Sequence, residues 1–390
     1  MAFRAVVASA RRPRSPSSFC SMPPIRPFLS LSHFPQTQTL RHSPTHQRNQ
    51  AARMPSTVVP PSKMAGRHLL PIGSYVLSPS GKAYLLQEVV YEHKWSEKFV
   101  FRVYRASYKG RIYILKDIIP GDFKYITSLQ KLVDDSPNVR TFVDSIPDRN
   151  ILVYSYREQS LFAPNVQSLP PAIKRRALRD ALAGLADLHD RGIYHTDVKP
   201  HNIMMDLVKE DDNVVGVCNV QITDLETAVV LPEGSGLTDR QSGSTYWRSP
   251  EAWARGVQDI RSDVFSFGIV VIYVWMGDTV LYSAEAGNPN CSIEEQAAYV
   301  PRSQISSFGD RDEKQDFLGF VEYHGDGDTT FIQGIHELIM TFDAENPRKP
   351  FPSWHDVDQG FQDLVSRMTC LDPRRRITAR EALQHPWLCD

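Results

Sequence analysis

The sequence predicts an α+β fold of two lobes, a small strand-rich lobe followed by a larger helical lobe, with a cleft between them. Short runs rich in Val, Ile, Tyr and Phe dominate the chain from about residue 74 to residue 157, which is typical of β-strands. From about residue 158 to residue 388 the apolar residues recur mainly at helical spacings. With 41% hydrophobic residues, the chain can bury a core large enough for both lobes.

Four strands and one helix are predicted in the first lobe. The strands are Tyr84–Val90, Val100–Ala106, Arg111–Ile118 and Ile151–Tyr156. Gly110 lies at the turn between the second strand and the third. Between the third strand and the fourth, apolar residues recur every three or four positions from Phe123 to Val133, which predicts an amphipathic helix.

The second lobe is predicted to be mainly helical. Its first helix should be capped by Ser168, carry prolines in its first turn and end before Gly192. The apolar stripe of this helix consists of Ile173, Leu178, Leu182, Leu185 and Leu188. The segment Asp263–Trp275 is apolar nearly all round, so it should be a buried central helix. Near the end of the chain, Thr378 and Glu381 have the spacing of a capping box.

Residues 1–65 precede the folded domain, which we place at residues 66–390. They are rich in Pro, Ser and Arg and are predicted to be disordered. Residues 1–87 contain 11 of the 44 Lys and Arg residues and no Asp or Glu. A basic, Ser-rich and acid-free segment is typical of a mitochondrial presequence. The alternatives are a plain disordered extension, or an upstream start that is never used, since Met54 and Met64 also precede the folded domain.

The remaining charges bear on the partners of the protein, and its cysteines indicate an intracellular protein. Residues 88–390 carry 33 basic and 45 acidic residues, a net charge of −12, which favours either a solvated acidic surface or basic protein substrates. Nothing indicates a nucleic-acid partner. The five cysteines are widely separated, as expected for thiols in the cytoplasm or nucleus. The longest strongly apolar stretch, Ile269–Met276, is too short to span a membrane.

Residues suited to phosphoryl transfer occur in one order along the chain. Asp197, Lys199 and Asn202 fall within six residues, and Asp224 follows after a polar insertion. Lys116 lies on a predicted strand of the first lobe. Phosphoryl transfer requires a carboxylate near the attacking hydroxyl, a cation near the transferred phosphate and oxygen ligands for magnesium. Each residue alone is a weak signal, whereas the ordered set is specific.

These motifs resemble those of the eukaryotic protein kinase family. His195–Asn202 reads H-T-D-V-K-P-H-N and is similar to H-R-D-L-K-P-x-N, while Asp224 matches the Asp of D-F-G and Lys116 the lysine of V-A-I-K. Further segments resemble kinase motifs in the family order: Gly243–Glu251, Asp263–Gly268, Asp372–Ala379 and His385–Leu388. The resemblance covers about residues 84–388, so it implies the protein kinase fold.

The resemblance also implies roles for single residues, with ATP and Mg²⁺ as cofactors and a protein as substrate. Asp197 and Lys199 would be catalytic, and Asn202 and Asp224 would hold the metal. Lys116 would bind the α- and β-phosphates. The hinge that contacts adenine would be Ser155, Tyr156 and Arg157, with Tyr154 behind it. Structural roles fall to Glu251, Arg376 and Asp263, the first two as an ion pair.

Two residues of the His195–Asn202 motif carry information about specificity within the family. Lys199 favours Ser/Thr over Tyr specificity within the family. The Thr in His195-Thr196-Asp197 is the form found in kinases similar to those that phosphorylate Arg/Ser-rich splicing factors. The resemblance therefore implies a divergent Ser/Thr protein kinase.

The Gly-rich loop of the family has no counterpart in this sequence. Between Gly81 and Gly110 there is no glycine, and Tyr91–Phe99 occupies its position. Glycine lets backbone N–H groups approach phosphates closely. Lys94 or Lys98 would supply positive charge there without that geometry, and both are equally consistent with ordinary surface lysines.

The helix glutamate that should pair with Lys116 is also missing. Thr127 stands where the family has this residue, and neither Asp122 nor Gln130 is well placed to replace it.

Two further substitutions leave alternatives to a protein kinase. Glu226 replaces the glycine of D-F-G and adds a carboxylate near the metal, while Ile114 narrows the adenine pocket. Together with the missing glycines, they are compatible with a pseudokinase that serves as a binding scaffold. Asp-x-Glu also occurs in small-molecule kinases of the choline and aminoglycoside type, although Gly243–Glu251, Asp263 and Arg376 favour a protein kinase.

Overall fold

The computed structural model describes residues 39–42, 69–96, 99–238, 240–277, 293–324, 329–340, 350–354 and 357–389, with Phe342 and Arg348. The strands within these residues are β1 (Thr39–His42), β2 (Tyr75–Leu77), β3 (Ala83–Ser96), β4 (Phe99–Tyr108), β5 (Arg111–Asp117), β6 (Asp144–Ile146), β7 (Ile151–Ser155), β8 (Gln159–Ser160), β9 (Ile193–Tyr194), β10 (Ile203–Glu210), β11 (Asn213–Ile222), β12 (Val229–Val230) and β13 (Ser235–Thr238). Apart from β1, the predictions for residues 1–65 lie outside the described residues.

The helices of the described residues follow mainly after the first sheet. They are α1 (Phe123–Lys131), α2 (Pro171–His189), α3 (Pro250–Trp253), α4 (Ile260–Met276), α5 (Ile293–Ser307), α6 (Arg311–His324), α7 (Thr329–Met340), α8 (Gln359–Met368), α9 (Ala379–Leu383) and α10 (Pro386–Cys389). Within this part of the chain, no helix combines the length and apolar character that crossing a membrane requires.

The chain forms two compact units. The first lies within residues 37–235 and 378–390, and the second contains residues 236–377. The first holds a six-stranded antiparallel sheet in the order β2-β3-β4-β5-β7-β6. All four predicted strands are present. Strands β3 and β4 are longer than predicted because their pairing continues as far as Ser96 and Phe99.

One face of the sheet buries a core of aromatic and aliphatic side chains. Its members are Val76, Tyr84, Leu86, Tyr104, Ala106, Leu115, Ile146, Ile151 and Val153. The predicted helix is present as α1, and its apolar face packs in a second cluster with Ile118, Leu152 and Tyr154 through Phe123 and Ile126. Burial of these side chains is the main source of stability for the sheet and helix together.

Helix α2 buries the apolar stripe that its sequence predicts, but its predicted cap is wrong. Ser168 ends a short 3₁₀ turn, Pro164–Ser168, and the residue before the helix is Pro170, which makes no side-chain cap. Leu169 and Pro170 are extended, so the helix cannot begin as early as Ser168 would require. Gly192 follows the helix with a positive φ of 66°, as expected for a residue that ends a helix.

Helix α4 is the buried central helix of the second unit, as its sequence predicts. Asp259 caps it by accepting a hydrogen bond from the N–H of Arg261. It packs against α8 so closely that a Cβ added at Gly268 would lie 2.8 Å from Cγ2 of Thr369. Only glycine permits this approach without a shift in one of the two segments.

Candidate active site

The predicted catalytic loop runs from β9 to β10, and the segment that carries Asp224 follows β11. Strands β10 and β11 form a long antiparallel hairpin that joins the two segments. The N–H of Thr223 donates to the carbonyl of Asn202 at 2.9 Å, and Nε2 of His195 contacts the carbonyl of Thr223 at 2.9 Å. These contacts hold the two segments side by side.

The three predicted loop residues lie together in a buried cluster. Nζ of Lys199 donates to Oδ2 of Asp197 at 2.7 Å. Nδ2 of Asn202 donates to the backbone carbonyl of Asp197 at 2.9 Å. The relative exposures of Asp197, Lys199 and Asn202 are 3%, 1% and 3%. Asp197 and Lys199 therefore form a buried ion pair at 2.7 Å.

Lys116 of β5 meets two carboxylates from the segment after β11. Its Nζ donates to Oδ1 of Asp224 and forms an ion pair with Oε1 of Glu226 at 2.9 Å. Asp224 has a left-handed backbone conformation, with φ of 71°, and the 3₁₀ turn Leu225–Thr227 follows it directly. This turn directs the side chain of Glu226 toward Lys116, so the carboxylates of Asp224 and Glu226 both contact the ammonium group of Lys116.

The charges of this cluster shift the pKa values of all three groups. Burial opposes ionisation of Asp224, but the charge of Lys116 outweighs it and holds the pKa of this carboxyl well below its usual range. Burial raises the pKa of Glu226 to about 7, and the neighbouring Asp224 acts in the same direction. Although burial lowers the pKa of Lys116, the two carboxylates raise it above its usual value.

Helix α1 supplies no carboxylate to Lys116. The hydroxyl of Thr127 donates back to the carbonyls of Phe123 and Lys124 in its own helix. Gln130 donates to the hydroxyl of Tyr154 and accepts from the N–H of Phe142. Sequence reasoning placed Glu226 near the metal and missed that it also pairs with Lys116. The available signal was an acidic residue where the family has a flexible glycine.

The segment at the position of the Gly-rich loop is an antiparallel ladder with register shifts between Val89 and Tyr91 and between Lys94 and Ser96. Glu92 pairs in register with Arg102 and His93 with Phe101, and the side chains of Arg102 and Glu92 form an ion pair at 2.6 Å. The side chain of Lys94 is exposed, and Lys98 lies outside the described residues. The predicted lack of a Gly-rich loop therefore corresponds to continued strand pairing.

The predicted hinge residues follow the end of β7. Ser155 pairs with Tyr113 of β5, and the N–H of Tyr156 donates to the carbonyl of Ile112 at 3.4 Å. Nε of Arg157 donates to Oε1 of Gln221 at 2.9 Å.

A residue that sequence reasoning did not consider lies against this hinge. Nη2 of Arg140 donates to the carbonyl of Ser155 at 2.6 Å, and its guanidinium lies 5.3 Å from the ring centroid of Tyr154. Burial lowers the pKa of Arg140 to about 10. The signal that could have found it was an arginine directly after Ser136-Pro-Asn-Val, where the chain enters the sheet.

The second unit contains the predicted structural residues. Arg376 donates from Nη1 and Nη2 to the two carboxylate oxygens of Glu251 at 2.7 and 3.0 Å, with both side chains buried. Ser262 adds a hydrogen bond to Glu251 at 2.6 Å. Burial would raise the pKa of Glu251, but the charge of Arg376 lowers it below its usual value. Asp263 is buried in the first turn of α4.

The family model for the protein kinase domain matches residues 85–388 of this chain. The chain belongs to the protein kinase domain family. The matched range contains Lys116, Asp197 and Asp224, and the resemblance inferred from the motifs is confirmed.

Curated relatives match about half of this kinase domain chain at low identity. Calcium-dependent protein kinase 11 of Oryza sativa subsp. japonica is 26% identical over 205 residues, which are 52% of this chain and 25% of the relative. Calcium/calmodulin-dependent protein kinase type 1 of Caenorhabditis briggsae is 23% identical over 211 residues, 54% of this chain and 43% of the relative. The chain thus spans less than half the length of these two relatives.

A solved structure supports the fold. The crystal structure of the yeast RNA Pol II CTD kinase complex contains a chain that matches with a TM-score of 0.56 and 16% identity. The match covers 84% of this chain and 95% of that chain. At this identity the likeness shows the α+β protein kinase fold alone.

Proposed function

We propose that this chain is a divergent Ser/Thr protein kinase that transfers the γ-phosphate of ATP to a protein hydroxyl with the help of Mg²⁺. One observation carries the proposal: Lys116, Asp197, Lys199, Asn202 and Asp224 are all retained, and they form two contacting clusters within one compact unit. A chain that had lost phosphoryl transfer would have no need to keep this complete set.

The residues around Asp224 fit a magnesium ion. Asp224, Asn202 and Glu226 offer carboxylate and amide oxygens, which are the hard ligands that Mg²⁺ prefers. Oε2 of Glu226 is buried without a hydrogen-bond partner among the described residues, so it can accept a ligand. A magnesium ion held by these residues would supply positive charge that offsets the charge of the phosphates.

In this mechanism the protein groups position the reactants and move one proton. Asp197 orients the substrate hydroxyl and accepts its proton. Lys199, which contacts Asp197 at 2.7 Å, balances charge that develops near the transferred phosphate. Lys116 holds the α- and β-phosphates, and Glu226 keeps the lysine in place when Asp224 ligates the metal.

The substrate class follows from Lys199 and from the charge of the domain. A lysine two positions after the catalytic aspartate favours Ser or Thr hydroxyls, and the net charge of −12 over residues 88–390 favours basic peptides. The relatives named above are calcium-dependent and calcium/calmodulin-dependent protein kinases, which is compatible with Ser/Thr specificity.

A binding scaffold is the second candidate function. It is favoured by the β3–β4 strand pairing at the position of the Gly-rich loop, because paired strands present fewer free N–H groups to phosphates than a glycine loop does. The two functions differ in whether the chain transfers phosphate from ATP.

Asp197→Asn tests the proposal in a transfer assay with radiolabelled ATP, Mg²⁺ and a basic Ser-containing peptide. The change keeps the side-chain shape but removes the proton acceptor, so we expect a loss of roughly 10²–10⁴-fold in rate. Asp212→Asn is the matched control, since Asp212 is exposed in the turn between β10 and β11 and should leave the rate unchanged. Equal residual rates in wild type and Asp197→Asn, with no detectable ATP binding, would favour the scaffold.

A further inference from the structure

A β-bulge in β3 directs Tyr91 to the face of the sheet that carries Lys116. Tyr91 pairs with Val103 of β4, and Val103 pairs in turn with Lys116 of β5. Residues that lie directly opposite each other in paired strands point to the same face of a sheet. The side chains of Tyr91, Val103 and Lys116 therefore form one row across three strands.

The bulge is the cause of this orientation. Val89 pairs with Tyr104, which is part of the apolar core on the opposite face, and Val89 packs against that core. Val90 is the extra residue at the register shift between Val89 and Tyr91. In a regular ladder Val90 would pair with Val103, and Tyr91 would point to the core face. Bulges redirect side chains in this way and are over-represented beside active sites.

The hydroxyl of Tyr91 lies near the ion pair of Lys116 and Asp224 and has a proton to donate. Among the described residues this hydroxyl has no hydrogen-bond partner. Burial raises the pKa of Tyr91 above its usual value, and the charge of Asp224 acts in the same direction while that of Lys116 opposes it. Because the pKa is raised, the phenol stays protonated at neutral pH.

The row leaves room for a phosphate between Tyr91 and Lys116. Adjacent strands are about 4.8 Å apart, so the backbones of these two residues are roughly 10 Å apart. The side chain between them is the short, partly exposed Val103. The ring of Tyr91 lies parallel to that of His93, with centroids 6.5 Å apart and planes at 9°. Two long side chains can therefore contact one group from opposite ends of the row.

We propose that the hydroxyl of Tyr91 binds the outer phosphates, β and γ, of the nucleotide. This inference rests on the proposed function, which places the phosphates at Lys116. A Gly-rich loop offers its backbone N–H groups to the phosphates, whereas the N–H groups of paired strands are largely used within the sheet. A phenol that donates to a charged phosphate oxygen supplies one such contact, and a charge-assisted hydrogen bond is stronger than a neutral one.

The test measures the dissociation constants of ATP and AMP with Mg²⁺, by calorimetry, for the full chain, for Tyr91→Phe and for Tyr75→Phe. Tyr91→Phe removes only the hydroxyl, so we expect ATP to bind about tenfold or more weakly, the effect of one hydrogen bond to a charged group. AMP lacks the outer phosphates, and its dissociation constant should be unchanged. Tyr75 is exposed on β2 of the same sheet, so Tyr75→Phe is the matched control and should leave both constants unchanged.

The outcomes separate this inference from the function on which it rests. If Tyr91→Phe binds ATP as tightly as wild type does, the phosphate contact is overturned and the kinase proposal stands. If Tyr91→Phe weakens ATP and AMP by the same factor, the hydroxyl supports the structure of the site instead of binding the outer phosphates, which also overturns the inference. If wild type binds neither nucleotide, the proposed function fails and this inference fails with it.

Discussion

At the scale of single residues, Glu226 pairs with Lys116, the lysine that pairs with a helix glutamate in other kinases. The glutamate of that helix usually pairs with the phosphate-binding lysine, and the position of the helix then controls activity. Here Thr127 stands on α1, and Glu226 pairs with Lys116 at 2.9 Å from the segment that carries Asp224. The positions of Lys116 and Asp224 are thereby coupled directly to each other, while α1 contacts the segment after Asp224 through Tyr125, whose hydroxyl donates to the carbonyl of Ala228 at 3.1 Å.

Glu226→Gln should raise the KM for the nucleotide. The substitution keeps the size of the side chain but leaves Lys116 without its second carboxylate, so we expect the KM for the nucleotide to rise about tenfold or more. The measurement is steady-state kinetics at saturating peptide. Thr127→Glu, added to Glu226→Gln, should restore part of the loss because it places a carboxylate on α1.

Glu233→Gln is the matched control for this experiment, because Glu233 is exposed on the same segment. It should leave the KM unchanged. A KM for Glu226→Gln equal to that of wild type would mean that Lys116 does not need Glu226 when the nucleotide is bound.

At the scale of elements, a neighbouring segment can lie so close to a helix that one helix position has no room for a side chain. Gly184 lies in the middle of α2, where a Cβ would come 2.2 Å from the carbonyl oxygen of Asn138. That backbone is fixed in turn, since Nδ2 of Asn138 donates to the carbonyl of Val220 at 2.9 Å. Gly319 in α6 has nothing within 4 Å of the same position.

Gly184→Ala and Gly319→Ala should therefore change stability in opposite directions. We expect Gly184→Ala to lower the free energy of unfolding by about 1–3 kcal/mol, because the added methyl group overpacks the contact with Asn138. Gly319→Ala should raise it by about 0.5–1 kcal/mol through higher helix propensity. Urea denaturation of both variants measures the two values. Equal destabilisation by both would show that the Asn138 contact is not the cause.

The sequence predicted the helices and strands better than it predicted side-chain contacts between residues that are far apart in the chain. Strands β3, β4, β5 and β7 and helices α1, α2 and α4 follow from local periodicity, which a single segment carries by itself. The contact of Lys116 with Glu226 joins residues 110 positions apart, and that of Arg140 with Ser155 depends on sheet pairing. Ser168 was misplaced as a cap because Leu169 and Pro170 remain extended, which periodicity does not report.

At the scale of the whole molecule, the chain divides into oppositely charged parts. Residues 1–87 carry 11 basic and no acidic residues, while residues 88–390 carry a net charge of −12. The kinase family match begins at residue 85, so the acid-free part lies almost wholly outside it. This composition is typical of a targeting segment, and we propose that residues 1–65 direct the chain to mitochondria.

Residues 1–50 fused to a fluorescent protein test this proposal. We expect the fusion to colocalise with a mitochondrial dye, because import machinery recognises Arg-rich segments without acidic residues. Replacing Arg4, Arg11 and Arg12 with Glu should leave the fluorescence diffuse, since it reverses the charge of the N-terminal segment. The same three positions changed to Lys keep the charge and should retain the mitochondrial signal. Diffuse fluorescence from the unmodified fusion would contradict a targeting role, and the kinase domain would then be expected in the cytoplasm or nucleus.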